Sequence, residues 1–185
     1  MKLVLASASP RRRQILENAG YQVEVRVSQA DESLPDGISP AQAVEYLAKT
    51  KAHAVKREAN EVLVAADTVV VLDGIILGKP ADEADAKRML LALSGRRHEV
   101  YTGVCLLYNE KEEVFSERTE VEFFPLHENQ ISEYIKTGEP MDKAGAYGIQ
   151  GRGCLFVKGI TGDYYNVMGL PVSSLYRKIE KICSK

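Results

Sequence analysis

Cysteine is scarce: Cys105, Cys154 and Cys183 are the only three in 185 residues. An odd number without C-x-x-C spacing suggests neither a disulfide framework nor a cysteine zinc site, and reads as reduced thiols of a cytosolic protein. Histidine is as thin. His53, His98 and His127 stand too far apart for metal-ligand spacing and are expected to be structural or solvent-facing. No apolar run approaches the ~18 residues of a membrane span, and the opening run is too short for a secretory h-region. A cytoplasmic location is therefore expected. Charge of one dominant sign is also missing, with 24 Lys and Arg against 26 Asp and Glu and a net charge of −2. Bulk nucleic-acid binding needs a broad basic surface, so neither nucleic acid nor membrane is expected as a partner. An anionic ligand should be small and met by local charge. No repeat, low-complexity segment or linker divides the chain, and residues 1–185 read as a single α/β domain with a mixed sheet.

What is present begins with Met1 to Arg13. The apolar run Leu3-Val4-Leu5-Ala6 stops at Ser7-Ala8-Ser9-Pro10, and Arg11-Arg12-Arg13 follow where a helix would begin. Ser9 suits an N-cap and Pro10 the first helical position, where no N–H is needed. The free N–H groups of that turn attract an anion, whereas arginines there oppose the helix dipole unless a bound phosphate reverses the penalty. A solvated basic turn is the bland alternative.

Further on, Ile15, Leu16 and Ala19 continue that helix towards Gly20, and Val23, Val25 and Val27 alternate with polar residues as in a strand with one buried face. Asp31 and Glu32 follow in a polar loop, either as solvation or to meet a metal carried by a phosphate ligand. Ser39-Pro40 opens a second helix to about Glu58, and Lys51 falls on its apolar stripe, either snorkelling to solvent or reaching a phosphate. Val62 to Ala66 reads as a central strand ending at Asp67-Thr68, ahead of Val69 to Leu72 and an Asp73-Gly74 turn. A carboxylate in so apolar a context needs a cation or donors, which makes Asp67 the first choice for a catalytic or metal-binding acid.

Gly78-Lys79-Pro80 is not a P-loop, since Pro80 stands where a Ser or Thr would ligate magnesium, but Lys79 can contact phosphate as a point charge. Asp82 caps a helix with Met89, Leu90 and Leu93 on one face. The runs His98–Tyr108 and Val114–Phe124 suggest a long hairpin turning through Asn109 to Glu112. Leu126 to Gly138 is a helix. Glu139 to Gly153 has no period, and its glycines beside Lys143 and Gln150 suit a ligand loop better than a mobile surface loop. Cys154–Val157 resumes a strand, and a last helix starts near Pro171.

Ser7-Ala8-Ser9-Pro10-Arg11-Arg12, Ala66-Asp67-Thr68-Val69-Val70, Gly78-Lys79-Pro80 and Asp142-Lys143-Ala144-Gly145-Ala146-Tyr147-Gly148-Ile149-Gln150-Gly151 together resemble the Maf family of nucleotide pyrophosphatases, in family order from residue 2 to about residue 175. The resemblance implies an α/β fold with a mixed, elongated central sheet flanked by helices, two lobes around a cleft, similar to inosine triphosphate pyrophosphatases. It implies cleavage of nucleoside triphosphates between the α and β phosphates with a divalent cation, Mg²⁺ or Mn²⁺. Asp67 then corresponds to the proton acceptor, and Arg11, Thr68 and Gln150 match positions that favour dTTP and UTP over the 7-methyl-GTP of a sister subgroup. Ser9, Arg11, Arg12, Lys51, Thr68, Lys79, Lys143 and Gln150 are the expected substrate contacts, and Glu32 and Asp67 the metal carboxylates. Arg11 is singled out as the arginine facing substrate, with Arg12 and Arg13 behind it. A nucleotide-binding regulator of septum formation or cell division, and a 7-methyl-GTP-type pyrophosphatase, are the competing expectations. Family members often form dimers, so a homodimer is one option for assembly.

Overall fold

The computed structural model describes residues 2–35 and 37–184. In chain order the elements are β1 (Lys2–Leu5), α1 (Pro10–Asn18), β2 (Val23–Val25), α2 (Pro40–His53), β3 (Glu61–Leu72), β4 (Ile75–Leu77), α3 (Glu83–Leu93), β5 (Arg97–Tyr108), β6 (Lys111–Phe123), α4 (Glu128–Ile135), β7 (Val157–Thr161), α5 (Tyr164–Met168) and α6 (Val172–Cys183), with 3-10 turns at Glu139–Asp142, Ala144–Ala146 and Gly151–Phe156. The fold is mixed α/β. Its sheet has the order β2-β1-β3-β5-β6-β7, with β4 paired to β3 off this path. β1 runs parallel to β2 and β3, whereas β4 and β7 run antiparallel to β3 and β6. Among the described residues no helix is long and apolar enough to cross a membrane.

Two compact units divide the chain: Met1–Thr68, Thr102–Glu117 and Gly169–Lys185 in the first, Val69–Tyr101 and Arg118–Met168 in the second. In the first unit Val4, Ala6, Leu63, Ala65, Cys105 and Leu107 pack against Ala48 and Ala52 of α2. Small alanines let the helix approach the strands closely. Burial pushes the Cys105 thiol up to about 12, which keeps it unreactive at neutral pH. The edge is closed by charge: Glu61 is 3% exposed, takes Arg26 Nη1 and Nη2 at 2.7 and 2.8 Å, and is held down at about 2, chiefly by Arg26.

Three expectations in this unit need correction. Val25 and Val27 are exposed, because β2 is the edge strand and its order comes from the Glu24, Arg26 and Glu61 network rather than from a buried valine face. α2 ends at His53, not near Glu58, since the following backbone is engaged elsewhere: Arg26 Nη1 donates to Lys56 O, Arg57 to Asn109 O, and Glu58 N to Glu61 Oε2. β3 does not stop at Asp67-Thr68 but runs unbroken to Leu72.

The second unit is built on an aromatic cluster. Phe123 meets His98, Tyr147 and Phe156 edge-on, and Tyr134 meets Phe156 in the same way. The hairpin turn, which belongs to the first unit, is only Asn109-Glu110, and β6 starts at Lys111. Cys154 to Phe156 form a 3-10 turn rather than a strand, and β7 begins at Val157.

His98 is buried, with Nε2 at 2.8 Å from the Tyr147 hydroxyl, and His53 and His127 are exposed. Burial pushes the His98 imidazole down to about 4 from its usual 6.5. Between those values the unfolded chain binds a proton that the native state refuses. Stability contributed by the neutral ring is therefore full above about 6.5 and lost as pH falls towards about 4, by up to ~1.4 kcal/mol per pH unit. Urea midpoints at about pH 7 and about pH 5 should show the decline, and His98→Gln, which keeps a polar group towards Tyr147, should flatten it. An unchanged slope in that variant assigns the titration to another group.

Candidate active site

The N-terminus of α1 forms as its residues dictate. Ser9 is in extended conformation at the N-cap, its Oγ accepts from Arg12 N at 3.5 Å, and Pro10 occupies the first turn. Ser7 Oγ accepts from Ser9 N at 3.3 Å, which fixes the approach to the cap. Three consecutive arginines, 100° apart on a helix, cannot share a direction. Arg13 turns out to Glu17, with Nε 2.7 Å from Oε1.

Arg12 turns in. Its Nη1 donates to Ser7 Oγ at 3.1 Å, its Nη2 to Thr68 Oγ1 at 3.0 Å, and its Nε to Gly169 O at 2.8 Å. Thr68 Oγ1 lies 2.9 Å from Thr102 Oγ1. One guanidinium thus ties the loop before α1 to two distant segments of the first unit and keeps one N–H on each terminal nitrogen for an anion. Burial lowers the Arg12 pKa, Asp67 and Glu32 raise it, and Arg11 lowers it, so these four charges lie within electrostatic reach of one another.

Lys51 does not snorkel to solvent. Its Nζ donates to Asp67 Oδ1 at 2.6 Å and pairs with Glu32 Oε2 at 3.0 Å, with the Lys51 and Asp67 side chains each 13% exposed. The loop that delivers Glu32 is ordered by Asp31, whose Oδ1 accepts from Ser33 N and Oγ. The carboxylate expected to need a cation therefore has one.

These donors fit a Mg²⁺ or Mn²⁺ ion in a particular way. An ammonium bridging Glu32 and Asp67 marks the pair as a cation-attracting site. Among the described residues no group of three or more His, Cys, Asp or Glu is arranged to hold a metal. Two carboxylates serve a Mg²⁺ or Mn²⁺ ion where substrate phosphates complete its oxygen shell.

Lys79, Lys143 and Gln150 belong to the second unit. Lys79 is exposed. Gly145, at φ +66°, donates its N–H to Gly78 O at 3.0 Å and packs so tightly on Val70 that a Cβ would lie 2.9 Å from that side chain. Glu139 organises the rest of the loop: its carboxylate accepts from the Tyr134 hydroxyl at 2.9 Å and from the N–H groups of Arg152 and Gly153 at 3.0 and 3.2 Å. Lys143 Nζ donates to Glu139 O at 2.5 Å and Asp142 Oδ1 at 2.7 Å, so it holds the loop together. Half-buried Gln150 immediately precedes the turn Gly151–Phe156.

Sequence reasoning missed Gly169, Thr102 and Glu139. The first two meet Arg12 and Thr68, far away in the chain, while Glu139 beside the helix-ending Gly138 carried a signal that could have been read.

The chain is similar to a dTTP/UTP pyrophosphatase of Bacillus mycoides (strain KBAB4), with 50% identity over 184 residues, 99% of this chain and 96% of the relative. A dTTP/UTP pyrophosphatase of Bacillus cytotoxicus (strain DSM 22905 / CIP 110041 / 391-98 / NVH 391-98) is 52% identical over the same shares. Solved structures with a likeness include the Staphylococcus aureus Ham1 protein (TM-score 0.47, 18% identity, 66% of this chain and 72% of that one) and the nucleoside-triphosphatase / dITP/XTP pyrophosphatase of Mycobacterium abscessus ATCC 19977 / DSM 44196 (TM-score 0.44, 20% identity, 97% and 94%). Residues 2–182 match the family described as Maf-like protein, and the chain belongs to that family.

Proposed function

We propose that the chain, acting as one domain over residues 1–185, is a nucleoside triphosphate pyrophosphatase that hydrolyses dTTP and UTP to the monophosphate and pyrophosphate in a house-cleaning role in the cytoplasm. The observation that carries this proposal is the convergence of Arg12, Lys51, Asp67 and Glu32 in one unit. The full-length relatives named dTTP/UTP pyrophosphatase give it its substrate.

A triphosphate carries about four negative charges, which must be neutralised before water approaches the α-phosphorus. Arg11, Arg12 and the N-terminus of α1 capped by Ser9 supply fixed positive charge, and Lys79 and Lys143 enter the proposal by their charge and family position. Glu32 and Asp67 would hold the Mg²⁺ or Mn²⁺ ion, which when bound neutralises phosphate oxygens. Asp67 orients the attacking water and accepts its proton as the bond between the α-phosphorus and the bridging oxygen breaks, and pyrophosphate leaves. Uracil and thymine present two carbonyl oxygens and one N–H. Gln150 offers both donor and acceptor to that edge, and Thr68, whose hydroxyl orientation is set by Arg12, adds a contact.

A panel of nucleoside triphosphates with Mg²⁺, Mn²⁺ or no metal, with pyrophosphate assayed separately from orthophosphate, tests the proposal. dTTP and UTP should lead and pyrophosphate should be the first product. Orthophosphate first would make the protein an ordinary phosphatase, and tight binding without any cleavage would favour the regulator.

A further inference from the structure

Lys51 is placed unusually for a lysine that serves phosphates. It sits on α2, is largely buried, and gives its ammonium to Asp67 and Glu32, the same two carboxylates that the proposed function assigns to a divalent ion. An ammonium and a divalent cation within one carboxylate pair repel each other, and the Asp67 oxygen at 2.6 Å is already engaged in a short charge-assisted hydrogen bond. We infer that Lys51 is the resident counter-cation of the Glu32–Asp67 pair, which leaves these carboxylates when Mg²⁺ or Mn²⁺ is seated and is thereby released towards the ligand's phosphates.

The chemistry of the neighbours explains why lysine fills this role. Without metal, Asp67 would be a largely buried carboxylate lacking a cation, a costly state that Lys51 removes. Arg12, within reach of the same charge, is locked by three hydrogen bonds and cannot leave. A lysine makes point contacts on a flexible stem and can. Lys51 thus stabilises the metal-free protein and competes with the ion. The inference rests on the metal role proposed for Asp67 and Glu32.

Mn²⁺ alone, titrated into the nucleotide-free full chain by calorimetry, provides the test. Lys51→Met should lower the Mn²⁺ dissociation constant at least about tenfold, and Lys51→Arg, which keeps a competing charge, should stay near wild type. Lys51→Met should also melt lower without metal and recover more than wild type when Mn²⁺ is added. A constant equal to wild type or higher, including no binding to either protein, overturns the inference. So does a gain that survives in Lys51→Met/Asp67→Asn, since the ion would then sit elsewhere. Should Lys51→Met fail to fold, the wild-type protein still decides: the ¹⁵N resonance of the Lys51 ammonium, identified by its loss in Lys51→Arg, should move on addition of Mg²⁺, and a stationary signal overturns the exchange. Neither measurement needs hydrolysis. Constants that respond in a protein that leaves dTTP intact sink the proposed activity alone, and cleavage to pyrophosphate with unresponsive constants sinks the Lys51 inference alone.

Discussion

Asp67→Asn is expected to lower turnover of dTTP by roughly a hundred- to ten-thousand-fold while leaving a folded protein. The substitution is nearly isosteric, and the amide oxygen can still accept from Lys51, which Asp67 Oδ1 meets at 2.6 Å. What disappears is the charge. A neutral amide cannot take a proton from water, and it is a poor ligand for a hard divalent cation. Because β3 is continuous and its residues from Glu61 to Ala66 are fully packed, an isosteric change at Asp67, where with Thr68 the strand becomes half-buried, leaves that row in place. Circular dichroism should therefore match wild type and unfolding should stay cooperative, at a lower melting temperature because Lys51 loses the charge of its 2.6 Å partner, while initial-rate assays collapse. Near-normal rates would remove Asp67 from the mechanism and send the search for the proton acceptor to Glu32, the other carboxylate on Lys51.

Features written in local chemistry were legible in the chain. Ser9-Pro10 and Ser39-Pro40 stand where caps and first turns form, Asp82 caps α3, and the Leu175, Ile179 and Ile182 stripe is buried on α6. The apolar row that isolates Asp67 predicted a cation partner, and Lys51 supplies it. The rest depended on partners far along the chain. That Arg12 points inward is decided by Thr68 and Gly169, 56 and 157 residues away, and nothing local in the three adjacent arginines signals it. Lys143 stood out by its charge beside the loop glycines, while its hydrogen bonds to Glu139 and Asp142 lie beyond what composition can show. Val23, Val25 and Val27 looked like one buried face by alternation, yet at the sheet's edge Val25 and Val27 are exposed. α5 was missed because five residues give periodicity no room to show.

Gly103→Ala is expected to destabilise the protein by more than about 3 kcal/mol, at the upper end of overpacking costs. Gly103 lies on β5, where an added Cβ would sit 2.3 Å from both the carbonyl carbon and oxygen of Val44 and 2.6 Å from Glu45 N. These are backbone atoms of α2, so no side-chain rotation relieves the overlap. The helix must lift from the strands, which strips contacts from Ala48 and Ala52 and shifts Lys51, two turns along from Val44, relative to Asp67. Loss of stability and loss of activity should therefore arrive together, with the residual activity lower than the folded fraction alone would give. Gly159→Ala is the matched control, because nothing lies within 4 Å of its added Cβ and its backbone needs no positive φ. It should change stability by no more than about 1 kcal/mol, in the stabilising direction if the unfolded chain loses freedom. Urea denaturation of the two variants separates steric overlap from the general entropic effect of replacing glycine. If Gly103→Ala unfolds at the wild-type midpoint, the closeness of α2 to β5 is not what holds Lys51 over Asp67.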